Sequence, residues 1–148
     1  IAGGGSFGNT VDYFTMASTG TAATFGTLTP SNLGTYQSAC MTPTRGVYHQ
    51  GLKPNPYAGS TFLGNITIAT TGNSTQFGDL SQERANIACL SNSTRGMIGG
   101  GRTPDSDSGI NTIDFVTIAT TGNAQNFGDL TQARSYGYGG MSNGHGGL

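Results

Sequence analysis

Charge is scarce in this chain. Its 148 residues hold six Lys plus Arg and seven Asp plus Glu, for a formal net charge of -1. Proteins that neutralise nucleic-acid phosphates show clustered basic residues, so nucleic acid is not an expected partner. Seven acids leave little for paired-carboxylate chemistry. Tryptophan is missing, and no apolar run approaches the roughly 18 residues of a membrane-spanning helix, so membrane insertion is not expected. Nothing before the repeats has the charged start and apolar core of a signal peptide. The chain opens on Ile1 in place of an initiator Met, which reads as a processed, truncated or internal start. Stretches joining good helix formers such as Ala, Leu, Glu and Lys are also few. What is abundant is glycine, 26 residues of it, with Thr, Ser and Asn and with β-branched residues alternating with small ones. That composition points to an all-β class.

An internal period organises the rest, and a missed period misassigns the whole fold. Ile66-Thr67-Ile68-Ala69-Thr70-Thr71-Gly72-Asn73 recurs as Val116-Thr117-Ile118-Ala119-Thr120-Thr121-Gly122-Asn123, an offset of 50. Phe77-Gly78-Asp79-Leu80 recurs as Phe127-Gly128-Asp129-Leu130 and, more weakly, as Phe25-Gly26-Thr27-Leu28. Thr44-Arg45-Gly46 returns as Thr94-Arg95-Gly96, and Arg84 as Arg134. The first copy is the most diverged. It has Met16-Ala17-Ser18-Thr19-Gly20 where the Ile-Ala-Thr-Thr-Gly run is expected, and Asn32 at the place of Arg84.

Each copy reads as four short strands. In the last, the innermost strand is predicted from about Ala85 to Cys89, turning through Ser91-Asn92-Ser93-Thr94, small polar residues suited to a tight hairpin. A second strand follows from Arg95 to Ile98, closed by Gly99-Gly100-Gly101, and a third from Thr112 to Thr120 with a period-2 pattern that shifts phase. A short fourth ends at Phe127-Gly128-Asp129-Leu130. Four short strands joined by tight turns fit a β-propeller blade. The expected fold is therefore all-β, with propeller-type repeats forming about three four-stranded antiparallel blades over residues 1–46, 47–96 and 97–148.

A glycine doublet closing the second strand, an aromatic-x-x-Leu ending the fourth and an Arg just before the next innermost strand resemble the kelch repeat. The resemblance spans the chain, with Phe25, Phe77 and Phe127 standing where kelch blades carry Trp. The wording of Ile66 to Leu80, Thr94 to Gly96 and Val116 to Leu130 is also similar to repeats in virion proteins of marine bacteriophages. The chain starts and stops at one phase of the repeat, inside the second strand. Propellers close with four to eight blades, so three imply a segment of a longer propeller, a ring shared between copies, or a stacked assembly. Cys40 and Cys89 hold equivalent places in successive repeats, where a propeller keeps residues beyond the roughly 4.4–6.8 Å that a disulfide needs. They read as small buried hydrophobes.

Most recurring residues have scaffold readings. Phe77 and Phe127 are expected to fill the space between blades, Asp79 and Asp129 to hold turns or accept backbone hydrogen bonds, and Arg45, Arg84, Arg95 and Arg134 to reach across blades to such acceptors. No catalytic constellation stands out. Candidates for ligand contact are His49, which replaces a repeat glycine at a strand end and is expected to be exposed, and Tyr48 and Tyr57, whose rings suit a sugar, as do Tyr136 and Tyr138. A metal site is not expected. The nearest approach is Asp105-Ser106-Asp107-Ser108-Gly109, which begins a Ca2+ loop pattern but lacks its later Glu, and a solvated turn is the plainer reading. No cofactor is otherwise implied.

These readings describe a non-enzymatic structural or adhesion module, expected in a bacteriophage virion as a tail, fibre or capsid appendage and located outside cells. The partners expected are other virion subunits or copies of itself, and a host-surface glycan or receptor. The alternatives are a propeller-type glycan-active enzyme or lectin whose active residues lie outside this segment, and an intracellular kelch adaptor.

Overall fold

Wherever Thr, Val and Ile alternate with small residues the backbone is extended, and wherever Gly, Asn and Ser cluster it turns. The computed structural model describes residues 2–3, 8–31, 34–35, 37–54, 57–103, 108–136 and 139–142, and among them every regular element is a strand. In chain order these are β1 (Ala2–Gly3), β2 (Thr10–Tyr13), β3 (Ala23–Thr27), β4 (Ala39–Met41), β5 (Arg45–His49), β6 (Lys53–Pro54), β7 (Tyr57–Ala58), β8 (Ser60–Thr67), β9 (Thr75–Arg84), β10 (Ala88–Ser91), β11 (Arg95–Gly99), β12 (Ile110–Thr117) and β13 (Gln125–Arg134).

They pair antiparallel as three sheets in the orders β1-β2-β3, β4-β5-β8-β9 and β10-β11-β12-β13, with β6-β7 a small hairpin between β5 and β8. The second and third sheets share one register. Gly46 faces Ile66 as Gly96 faces Val116, and Leu63 faces Gly78 as Ile113 faces Gly128. A bulge follows Leu63, Ile113 and, in the first sheet, Val11, each directly beside the residue that faces the glycine of the Phe-Gly pair. The extra residue is on the partner strand and is the Phe of the Phe-Gly pair, Phe77, Phe127 and Phe25 in turn.

Three expected boundaries move. The innermost strand begins at Ala88, because Asn86 takes φ 58°, and Ala85 instead bridges to Arg102. The third strand ends at Thr117, since residues 118–120 already turn. The fourth strand runs ten residues to Arg134, far beyond Leu130. The glycines that close the second strand are required by geometry. Gly51 and Gly101 have φ of 82° and 104°, and a Cβ on Gly101 would stand 2.6 Å from Ala85 O.

The core lies between sheets. Val11, Phe25 and Leu28 of the first sheet meet Tyr48 and Ile66 of the second. Cys40, Val47, Leu63, Phe77 and Leu80 of the second meet Ile87, Cys89, Ile98, Val116 and Ile118 of the third. Burying each such Leu, Ile or Phe is worth about 1.5–3 kcal/mol, so sheet-to-sheet packing is the main cohesive term. Both cysteines are free and buried, as expected of small hydrophobes. Both sit in this one core, where Cys89 also raises the Cys40 thiol. Burial pushes Cys40 to about 12 and Cys89 to about 11.

Candidate functional site

Apart from Tyr48, the titratable side chains that the fold buries gather where the second sheet faces the third. His49 ends β5 and is 1% exposed, which corrects the expectation of an exposed strand end. Its environment fixes its tautomer. Gly51 N–H donates to Nδ1 at 3.1 Å, so Nε2 carries the proton and donates to Ser60 O at 2.8 Å. Ser60 Oγ in turn donates to Gln50 Oε1 at 2.7 Å. Burial lowers the imidazole pKa to about 4, against the hydrogen bond to Ser60 and helped by the Arg84 cation, so the ring is neutral near pH 7.

Arg84 ends β9 and Asp114 lies in β12, both fully buried. Nη2 meets Asp114 Oδ2 at 2.8 Å and Ile98 O at 3.3 Å, while Nη1 donates to Thr112 O at 3.0 Å. Asp114 also accepts from Ser81 N at 3.1 Å and from Ser81 Oγ at 2.8 Å. Burial pulls the guanidinium pKa down and the carboxylate opposes that pull. His49 is 1% exposed and Arg84 and Asp114 are 0% exposed. Arg84 and Asp114 therefore form a solvent-excluded polar lock between two sheets, with His49 buried near the Arg84 cation.

The first and second sheets are locked differently. Where β12 has Asp114, β8 has Gly64, and the space is taken by Tyr48, whose ring a Cβ on Gly64 would strike. The Tyr48 hydroxyl donates to Thr29 O at 2.6 Å, accepts from Thr29 N at 3.1 Å and shares a 2.7 Å bond with Ser74 Oγ. Tyr48 is thus buried, with its hydroxyl turned onto the Thr29 backbone. Burial also raises its pKa. The backbone of Tyr57 lies in β7, but its side chain, like Asp105, Asp107 and Tyr138, lies outside the described residues. Tyr136 is exposed.

The recurring residues themselves form the joints between sheets. Gly72 N donates to Phe25 O and Ser74 N to Thr27 O, each at 2.9 Å. One repeat on, Gly122 N donates to Phe77 O at 2.9 Å and Ala124 N to Asp79 O at 2.8 Å. Thr27 N donates back to Asn73 Oδ1 at 3.0 Å, and Asp79 N to Asn123 Oδ1 at 3.1 Å. The Thr-Gly-Asn run is therefore a strap laid on the last strand of the preceding sheet, and the Phe-Gly pair is its seat. A Cβ on Gly26 or Gly78 would collide with the strap's carbonyl, so only glycine fits.

Of the arginines, Arg45 crosses to the third sheet but meets the carbonyls of Ile118 and Ala119, both at 3.0 Å. Arg95 stays on its own sheet, 4.9 Å from the centroid of the Phe115 ring. Asp79 accepts a hydroxyl bond from Thr61 at 2.9 Å in place of a backbone one. Phe77 fills the inter-sheet space at 3% exposure, whereas Phe127 is 57% exposed because no described sheet follows it. Compared with protein-family models and with curated proteins, the chain matches none.

Proposed function

We propose that this chain is a non-enzymatic structural or adhesion module whose four-stranded sheets are propeller-type blades, and that it serves in a bacteriophage particle as a tail, fibre or capsid-surface component. The observation that carries the reading is the doubled joint. The most regular words of the sequence, Thr-Gly-Asn and Phe-Gly, are spent on fastening one sheet to the next with the same atoms each time. A residue type repeated in every sheet builds the array, whereas a reaction centre needs a unique set.

Two further features support it. The buried charges are consumed in a closed lock, and low charge with a Thr, Asn, Ser and Gly surface suits stable packing outside cells. Loops that differ between repeats, at residues 50–60 and 102–111, are the places for contact with a receptor or neighbouring subunit. The test is the protein composition of gradient-purified phage particles carrying this gene. Peptides of the chain at a fixed ratio to the capsid protein are expected; particles that lack them while the gene is expressed refute the virion assignment. A glycan array with no binder would confine the module to assembly.

A further inference from the structure

The turns that close β5 and β11 are built alike but carry different chemistry. After β5, residues 50–52 clasp residues 34–35, part of the segment that crosses over from the first sheet. Leu52 N donates to Thr35 O at 2.8 Å, and Thr35 N to Leu52 O and Gly34 N to Gln50 O at 3.2 Å each. After β11 the same clasp joins Arg102 N to Ala85 O at 2.9 Å and Ala85 N to Arg102 O at 3.1 Å. Gly51 and Gly101 make both turns with positive φ, and a Cβ on either would press on the carbonyl of Thr35 or Ala85.

The difference lies beside the clasp. His49 faces Leu63 of β8 as Gly99 faces Ile113 of β12, so the two positions are equivalent and the third sheet has no side chain there. In the second sheet the ring holds the turn directly, Nδ1 accepting from Gly51 N–H and Nε2 donating to Ser60 O. A second proton has one place to go, Nδ1, where it would meet the Gly51 N–H, donor against donor. It would also add a positive charge beside the buried Arg84.

The charges around the ring give that proton no relief. β9 supplies the Arg84 cation, and Asp114 of β12 is already paired with it at 2.8 Å. Arg84 is coupled as well to the Cys89 thiol of β10, which stays neutral because burial pushes it to about 11. Tyr48, the neighbour on β5, is neutral for the same reason, and β8 presents the uncharged Ser60. Lys53 of β6 and Glu83 of β9 pair with each other at 3.2 Å.

We propose that the turn at residues 50–52 is an acid-released latch: protonation of His49 expels the ring, Gly51 loses its acceptor, and the clasp on residues 34–35 opens while the straps between sheets hold. The step is uptake of one proton from solvent. In the closed latch the ring binds that proton near pH 4, whereas a ring in water binds it near 6.5. The open form is therefore protonated first, and its share rises about tenfold for each pH unit below 6.5, levelling off near 4. The Ala85–Arg102 clasp, with Gly99 beside it, has no such group and stays shut. The latch rests on His49 and its neighbours alone; that contacts made by the loop at residues 50–60 become acid-sensitive rests in addition on the structural reading above.

Amide hydrogen exchange of the full chain tests it, read by NMR as protection factors at pH 7 and pH 4.5 with and without low urea. Gly51 and Leu52 are expected to lose about 50-fold in protection at pH 4.5, through an opening that urea hardly changes because it exposes little surface. Arg102, in the equivalent clasp, is expected to show no such urea-independent loss. His49→Gln can still meet Gly51 and Ser60 but takes up no proton; with its fold confirmed by circular dichroism, it should lack the loss. The comparison of Leu52 with Arg102 within the wild type needs no variant at all. Unchanged protection of Gly51 and Leu52, a loss that follows urea as global unfolding does, equal loss at Arg102, or the same loss in His49→Gln would each overturn the latch. Absence of the chain from phage particles would sink the virion reading and leave this readout unaffected.

Discussion

Replacing Gly78 by Ala places a methyl group where the Gly122 carbonyl lies and 2.9 Å from Asn123 N, both of them backbone. Neither neighbour can swing away as a side chain would, so the strap must lift by about 1 Å to restore van der Waals contact. That displacement breaks Gly122 N to Phe77 O, Ala124 N to Asp79 O and Asp79 N to Asn123 Oδ1, which start at 2.8–3.1 Å. Three bonds at about 1 kcal/mol each, less about 0.5–1 kcal/mol gained from a stiffer unfolded chain, leave a net loss of about 2–3 kcal/mol. Gly72→Ala is the control, for its Cβ meets nothing within 4 Å, and it should fall within about 0.5 kcal/mol of wild type. Urea unfolding followed by far-ultraviolet circular dichroism reads both. If Gly78→Ala unfolds at the wild-type midpoint, or Gly72→Ala loses as much, the strap does not join the sheets.

Three other perturbations address the locks. Asp114→Ala strands the buried Arg84 cation and should cost about 3–5 kcal/mol, while Arg84→Met with Asp114→Leu recovers most of it; equal losses in single and double variants would contradict the lock. Tyr48→Phe removes the hydroxyl that bonds Thr29 and Ser74 and should cost about 1–3 kcal/mol in the same assay, and an unchanged midpoint would show that those bonds are idle. His49 binds its proton near pH 4 when folded and near 6.5 when unfolded. The unfolded chain therefore takes up the proton first, and stability is constant above pH 6.5 and lost as pH falls to about 4, by about 3 kcal/mol in all. His49→Gln should lack that slope, and an identical pH profile in the two proteins would rule the assignment out.

The period, the all-β class and the order of four strands in the second and third sheets were legible because each rests on local chemistry: β-branched alternation, polar turns and glycine doublets. What the recurring words do was not legible. Thr71-Gly72-Asn73 reads as a turn in one dimension, and its partner Phe25 lies some 50 residues away on another sheet. The exchange of Asp114 for Gly64 with Tyr48 was hidden for the same reason, since one lock replaces another only when neighbouring sheets are superposed in space. His49 misled because a polar residue at a glycine position suggests exposure, whereas the Ser60 carbonyl and the Gly51 amide satisfy both ring nitrogens in the interior. Phe127 repeats Phe77 in sequence but not in burial, because burial depends on the following sheet.

The repeated motif binds sheet to sheet, and native-state amide hydrogen exchange reads that joint residue by residue. The amides of Gly72, Ser74, Gly122, Ala124 and Asp79 are expected to exchange as slowly as those within the sheets, opening only with global unfolding. Exchange of Gly122 and Ala124 at the rate of exposed loops, with the sheets still protected, would contradict it.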